Sequence, residues 1–177
     1  MLDEREFSDL YDALRPQVFA YAVSRCGRQL AEEVVSETFT VAWRRRQDVP
    51  RRAVLPWLLG VARNVIRELY RDEVRHAALA EALHGWAAEA AVAGGDVGEE
   101  VAQRAALLWA LTALGDDDKE VLTLVSWHGL SSREAASVVG CSVSAFFVRL
   151  HRARRRLEAA LGEESRTVRR LTPKEGV

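Results

Sequence analysis

Between Pro56 and Tyr70 the apolar residues recur at the spacing of an α-helix. Trp57, Val61, Val65 and Leu69 stand four apart, with Leu58, Ala62, Ile66 and Tyr70 beside them. A 3.6-residue period gathers such positions on one face, whereas a half-buried strand needs strict alternation. The same signal recurs along the chain. "EFSDLYDAL" puts Phe7, Leu10, Tyr11 and Leu14 together, and "LAEEVVSETFTVAWRRR" aligns Leu30, Val34, Thr38 and Ala42, with Val35, Phe39 and Trp43 adjacent. No sustained alternation appears, and Gly and Pro fall between the periodic segments. The chain is therefore expected to be all-α.

The punctuation divides it into two small helical domains joined by a short linker. Pro16 is expected to start a second helix, "PQVFAYAVSRC", which Gly27 closes. Four helices would then form a first domain over 1–85. "AAVAGGDVGEE" reads as the linker, placed at 86–100, and a second domain follows over 101–162, with a flexible charged tail at 163–177. In the second domain Asp117 and Glu120 have capping-box spacing, as do Ser131 and Glu134.

Several function classes drop out. Apolar residues are 49% of the chain and charged residues 29%, the balance of a globular protein. No apolar run approaches the roughly 20 residues a bilayer requires. "MLDEREFSDL" is acidic where a secretion signal is basic and then apolar, so a cytoplasmic protein without membrane insertion is expected. Cys26 and Cys141 form no CxxC pair, and His76, His84, His128 and His151 do not fall at ligand spacings. No metal or cofactor is expected. With no Gly-rich phosphate loop and no nucleophile–base pair, the chain does not read as an enzyme.

Net charge is only −1, but the charge is segregated. Glu89 to Glu120 carries eight acids against two basic residues, while Ser142 to Leu161 carries five arginines against Glu158. A basic stripe of this kind is an electrostatic footprint for nucleic acid. Before it stands "SSREAASVVG", a capped short helix with a small-residue pair (Ala135, Ala136) and a glycine turn at Gly140. A capped helix, a tight turn and a longer basic helix make the helix-turn-helix pattern, whose second helix enters the major groove. Arg149, Arg152 and Arg156 share one face of that helix. Val143, Phe146 or Phe147, Leu150 and Leu157 can face the core. Ser142 and Ser144 sit at its N-terminus, where free N–H groups suit a phosphate.

A second basic surface surrounds "RRRQDVPRRAVLPWLLGVARN", where Arg63, Asn64 and Arg67 follow a loop rich in arginine. Basic loops beside amides and aromatics can hold unstacked bases. Trp57, on the apolar line with Val61 and Val65, belongs to the core.

Taken in order, "AEEVVSETFTVAWR", "PWLLGVARNVIRELYR", "LSSREAASVVGCS" and "RLHRARRRL" resemble the extracytoplasmic-function group of the sigma-70 family of RNA polymerase sigma factors. The resemblance covers about Phe7 to Leu161 and implies promoter-directed transcription initiation. It assigns Glu33, Val34, Ser36, Glu37, Phe39 and Trp43 to binding the clamp helices of core polymerase, with the flap as a further contact. It assigns Gln47, Asp48, Arg51, Arg52, Arg63, Asn64 and Arg67 to capture of the −10 element, duplex and then single-stranded. Ser142, Ser144, Phe147, Val148, Arg149, His151 and Arg152 fall to the −35 element. An anti-sigma protein is a further implied partner.

Six positions depart from the family's pattern, Glu33 for Asp, Ser144 for Gly, Ala145 for Thr and Val148 for Ser among them, and the other two bear most on function. Ser36 replaces the usual Gln on the polymerase-facing helix. Phe147 replaces a basic residue of the recognition helix, which leaves two readings open: apolar contact and DNA shape carry more of the upstream recognition, or Phe146 and Phe147 form a patch that holds a regulator. A stand-alone helix-turn-helix regulator and a sigma-like protein-binding adaptor are the alternatives to the whole reading.

Overall fold

The computed structural model describes residues 3–69, 107 and 110–171, with side chains up to 162. Every regular element among the described residues is helical: α1 Glu4–Cys26, α2 Arg28–Arg44, α3 Val54–Leu69, α4 Asp116–Ser126, α5 Ser132–Val139 and α6 Val143–Leu171. The expected linker at 86–100 and the first domain's boundary near 85 lie outside the described residues.

α1 is one helix where the sequence predicts two. Pro16 sits inside it, although a proline has no N–H to give the carbonyl four residues back. Tertiary packing overrides that local cost. α1 lies along α2, Val18, Tyr21 and Ala22 beyond the proline are fully buried, and Arg15 just before it pairs with Glu32 of α2 at 2.8 Å. Asp3 caps the helix start in a reciprocal box with Glu6. A single residue, Gly27, turns the chain into α2; its φ of 79° is open to glycine and strained for other residues.

α3 closes the first half by packing on both α1 and α2. Its buried stripe is Leu58, Leu59, Ala62, Val65 and Ile66, with Trp57 partly buried at the margin. In the second half, α4, α5 and α6 pack on one another, and α5 also packs on α3. The apolar interior consequently runs without a break from Val18 to Ala153. The two halves are docked together.

The helix-turn-helix forms as the pattern predicts. Ser131 and Glu134 cap α5 reciprocally, and Gly140 ends it in the left-handed conformation, φ 76° and ψ 43°. The predicted box at Asp117 and Glu120 does not form: Gly115 is the N-cap of α4, without a side-chain bond, and Glu120 is buried. Phe146 fills the core at 0% exposure while Phe147 is 55% exposed. Leu150 and Ala153 continue the inner stripe, whereas Val143, expected inside, lies exposed at the open first turn of α6. α6 runs on to Leu171, into the stretch from 163 that the sequence reading assigns to a charged tail.

At Gly140 an added Cβ would meet nothing within 4 Å, which leaves backbone conformation as the whole cost. Gly140→Ala should destabilise the protein by roughly 1–2 kcal/mol, and Gly140→Asn by less. Urea unfolding midpoints of the two variants check this.

Candidate nucleic-acid interface

Three surfaces carry the residues singled out by the sequence. The first is the outer face of α2. Glu33, Ser36 and Glu37 are exposed there, beside a shallow groove of about 580 Å³ that reaches from Phe7 to Trp43. Phe7 meets Trp43 edge-on at 5.0 Å, Tyr11 meets Phe39 at 4.7 Å, and the Arg46 guanidinium lies 4.7 Å over the Trp43 ring. These contacts hold Trp43 in a half-exposed position, 38% accessible. Two expected contact residues are corrected. Val34 is fully buried and Phe39 nearly so, because the 34–38–42 line and its neighbour at 39 point at α1 on a 3.6-residue helix. Phe39 shapes the floor of the groove, and Val34 belongs to the core.

The second surface is the loop after α2 and the outer face of α3. Gln47, Asp48, Arg51 and Arg52 are exposed, and Asp48 pairs with Arg45 at 3.4 Å. The Arg45 guanidinium lies 5.9 Å from the Trp57 ring centre. Asn64 and Arg67 are exposed on α3. Arg63, expected beside them, is 9% exposed. Its guanidinium turns inward and donates from Nε to Glu120 Oε1 at 2.9 Å and from Nη2 to Oε2 at 3.3 Å.

The third surface is the front of α6. Ser142 accepts from the Ala145 N–H at 3.2 Å and shares a hydrogen bond with Ser144. Phe147, Val148, Arg149, His151 and Arg152 are all exposed. Arg156, the third arginine of that face, is paired with Asp118 of α4. The second and third surfaces face each other: Asn64 and Arg67 share a cleft of about 560 Å³ with Arg149 and the α5 turn.

Glu120 is the residue that the sequence reading missed. It is 1% exposed and accepts from the Tyr21 hydroxyl at 2.6 Å as well as from Arg63. Arg25 stands 3.7 Å from its other oxygen, and Arg25 also donates to the Asp116 carbonyl at 2.8 Å. Burial by itself would raise the Glu120 carboxyl, but the charge of Arg25 and the hydrogen bonds of Arg63 and Tyr21 outweigh it and hold the group below the ordinary glutamate value. Burial, then the neighbouring carboxylate, pushes the Tyr21 hydroxyl well above its ordinary value. His128 stacks edge-on to Tyr21 and is lowered by burial. The available signal was phase: Glu120 and Leu124 are four apart on the stripe that α4 buries, an odd place for a capping residue.

Burial raises the Cys26 thiol to about 11, so it is an inert core residue that donates to the Ala22 carbonyl. No group of three metal-ligating side chains is poised for an ion among the described residues. No helix among them is long and apolar enough to cross a membrane.

Comparison with known proteins agrees with this geometry. The family model described as "Sigma-70 region 2" matches residues 10–76, and "Sigma-70, region 4" matches 104–157. The RNA polymerase sigma factor CnrH of Cupriavidus metallidurans is 37% identical over 76% of this chain and 74% of its own length. CarQ of Myxococcus xanthus, also an RNA polymerase sigma factor, is 32% identical over 89% of this chain and 90% of its own. Among solved structures, CnrH in complex with the cytosolic domain of CnrY superposes with a TM-score of 0.60 at 29% identity, covering 91% of this chain and 90% of that one.

The Glu120 carboxyl is depressed in the folded chain, so its contribution is fully present above the ordinary value of 4.5 and is lost as pH falls through the lower folded value. The melting temperature should therefore decline from about pH 6 to about pH 3, and Glu120→Gln should decline less steeply. Glu134, held low by the Ser131 hydroxyl and N–H, leaves a residual slope in both proteins. Parallel curves would exclude the assignment.

Proposed function

The chain belongs to the extracytoplasmic-function group of the sigma-70 family and is an RNA polymerase sigma factor directing promoter-specific transcription initiation, and from that premise we propose how its surfaces divide the work. A first domain over 1–85 binds core polymerase and the −10 element. A second domain over 101–162 reads the −35 element, and 86–100 joins them. The protein acts in the cytoplasm with polymerase and carries no catalysis of its own.

The groove along α2 is the polymerase face. Glu33, Ser36 and Glu37 supply polar contacts and Trp43 the apolar anchor, with Phe39 supporting it from below. An exposed aromatic in a polar rim is the form that binding hot spots take. Gln47, Asp48, Arg51 and Arg52 line the loop that captures a flipped base of the −10 element, with Asn64 and Arg67 holding the strand. Flipping costs a few kcal/mol, and stacking returns about 1–3 kcal/mol per base. A captured base cannot re-pair, which favours strand opening.

The observation that carries the −35 reading is the division of α6 into a buried and an exposed side. Phe146 anchors the helix in the core, leaving Phe147, Val148, Arg149, His151 and Arg152 outward. Arginine reads guanine edges, and apolar side chains meet the thymine C5 methyl. Phe147, which stands in place of the family's basic residue, and Val148 therefore read thymines, and Ser142 and Ser144 meet the backbone. CnrH has been solved with CnrY; this chain is likewise a target for an anti-sigma partner.

Reconstitution with core polymerase tests the assignment. Glu37→Lys should lower core affinity at least about tenfold, an effect of roughly 1.4 kcal/mol. Arg149→Ala with Arg152→Ala should spare core binding and reduce specific run-off transcripts. Silence on every promoter in a library would favour a protein-binding adaptor. Replacing upstream-element thymine by deoxyuridine should weaken promoter use by the native chain more than by Phe147→Ala, which keeps only Val148 against the methyl. Equal losses in both proteins would remove Phe147 from the readout.

A further inference from the structure

Three charged or polar groups of the first half converge on one carboxylate of the second. Tyr21 and Arg25 come from α1 and Arg63 from α3, and Glu120 comes from α4. None of the three contacts is local in sequence. Their burial depends on the docking of the halves: Glu120 is 1% exposed and Arg63 9%, although Arg63 directly precedes the exposed Asn64 and lies one turn before the exposed Arg67. The docked arrangement also turns the two nucleic-acid surfaces toward each other. Asn64, Arg67 and Arg149 share a cleft of about 560 Å³, the size of a small-molecule pocket and far too small for a duplex.

That geometry conflicts with promoter engagement. Elements named for positions 10 and 35 base pairs upstream lie roughly 85 Å apart at about 3.4 Å per base pair. A compact chain of this length has a radius of gyration of roughly 16 Å. α3 and α6 cannot reach both elements while α3 packs on α5.

We propose that Glu120 is an internal stand-in for a DNA phosphate: by taking the Arg63 guanidinium, with Arg25 and Tyr21 as supports, it clasps the second half onto α3 and keeps the free chain shut over its own promoter-reading surfaces. The proposal rests on the assignment of α3 and α6 to the two promoter elements. Opening returns Arg63 to the exposed row with Asn64 and Arg67, where a phosphate can replace the carboxylate it lost. A desolvated ion pair suits this use. Its mutual attraction roughly offsets the hydration surrendered, so the clasp holds in the free chain and yields when polymerase binds the parted halves. A chain that is open only part of the time binds its partner more weakly by that fraction.

The test uses the full-length chain with Glu120→Gln, and with Arg25→Gln, which lies outside every DNA and polymerase contact assigned above. X-ray scattering should show the radius of gyration rising above roughly 16 Å in both variants. Affinity for core polymerase should tighten about three- to tenfold with no new contact made. Should Glu120→Gln fail to fold, Arg25→Gln carries both measurements. Variants that stay compact and bind core no better would overturn the proposal and reduce Glu120 to a structural contact. Expansion without a gain in core affinity would overturn the self-inhibition. Failure of the native chain to bind core polymerase, with the variants still expanding, would sink the sigma-factor assignment and leave the clasp itself standing.

Discussion

A carboxylate taken out of water keeps its charge only where other groups replace the hydration it has lost. Glu120 has Arg63, Arg25 and Tyr21 for that purpose, and all three are presented by the first half of the chain. The dependence runs both ways. Without Glu120, Arg63 would be a guanidinium largely enclosed by protein with no matching charge, a state that costs several kcal/mol. The apolar contact between α3 and α5 is continuous with this cluster, so polar matching and core packing select the same docking geometry.

That geometry sorts the functional side chains. Those on the outer face of α2 stay open to a partner whatever the second half does, because α2 is packed on α1 and α3. Those on α3 and the front of α6 are brought to opposite walls of one cleft. Association with polymerase can therefore begin on a surface that is already free, while access to DNA waits on separation. The near-neutral net charge suits such an order of events, since a chain with few uncompensated cations gains little from binding duplex by itself.

What the sequence disclosed and what it withheld follow one physical division. Local rules were legible. Helical period identified α2 and α3, the Ser131–Glu134 box marked the start of α5, and Gly140 marked its end. Interactions across long separations were not. Pro16 reads as a helix boundary because propensity is local, whereas the packing of α1 against α2 that carries the helix through it is tertiary. Arg63 and Asn64 are neighbours with equal claims to DNA, and only the position of α4, more than fifty residues on, separates their fates. Val34 and Phe39 match a motif that mixes buried members with exposed ones, and motif matching does not distinguish the residue that touches a partner from the one that holds the helix in place. Phe146 and Phe147 were interchangeable in sequence for a related reason. The period admits either as the inward residue, and the position of the preceding turn decides.

That turn has three residues, Gly140, Cys141 and Ser142, between the last residue of α5 and the first of α6. It works as a phase setting. Each residue advances a helix by about 100°, so losing or gaining one here would roll the arginines and both phenylalanines to a different side while leaving composition, charge and helix length untouched. Drift in the identity of these residues is therefore absorbed far more readily than drift in their number, and the spacing from Val139 to Phe146 is the measurement by which an inactive copy of such a chain would first betray itself.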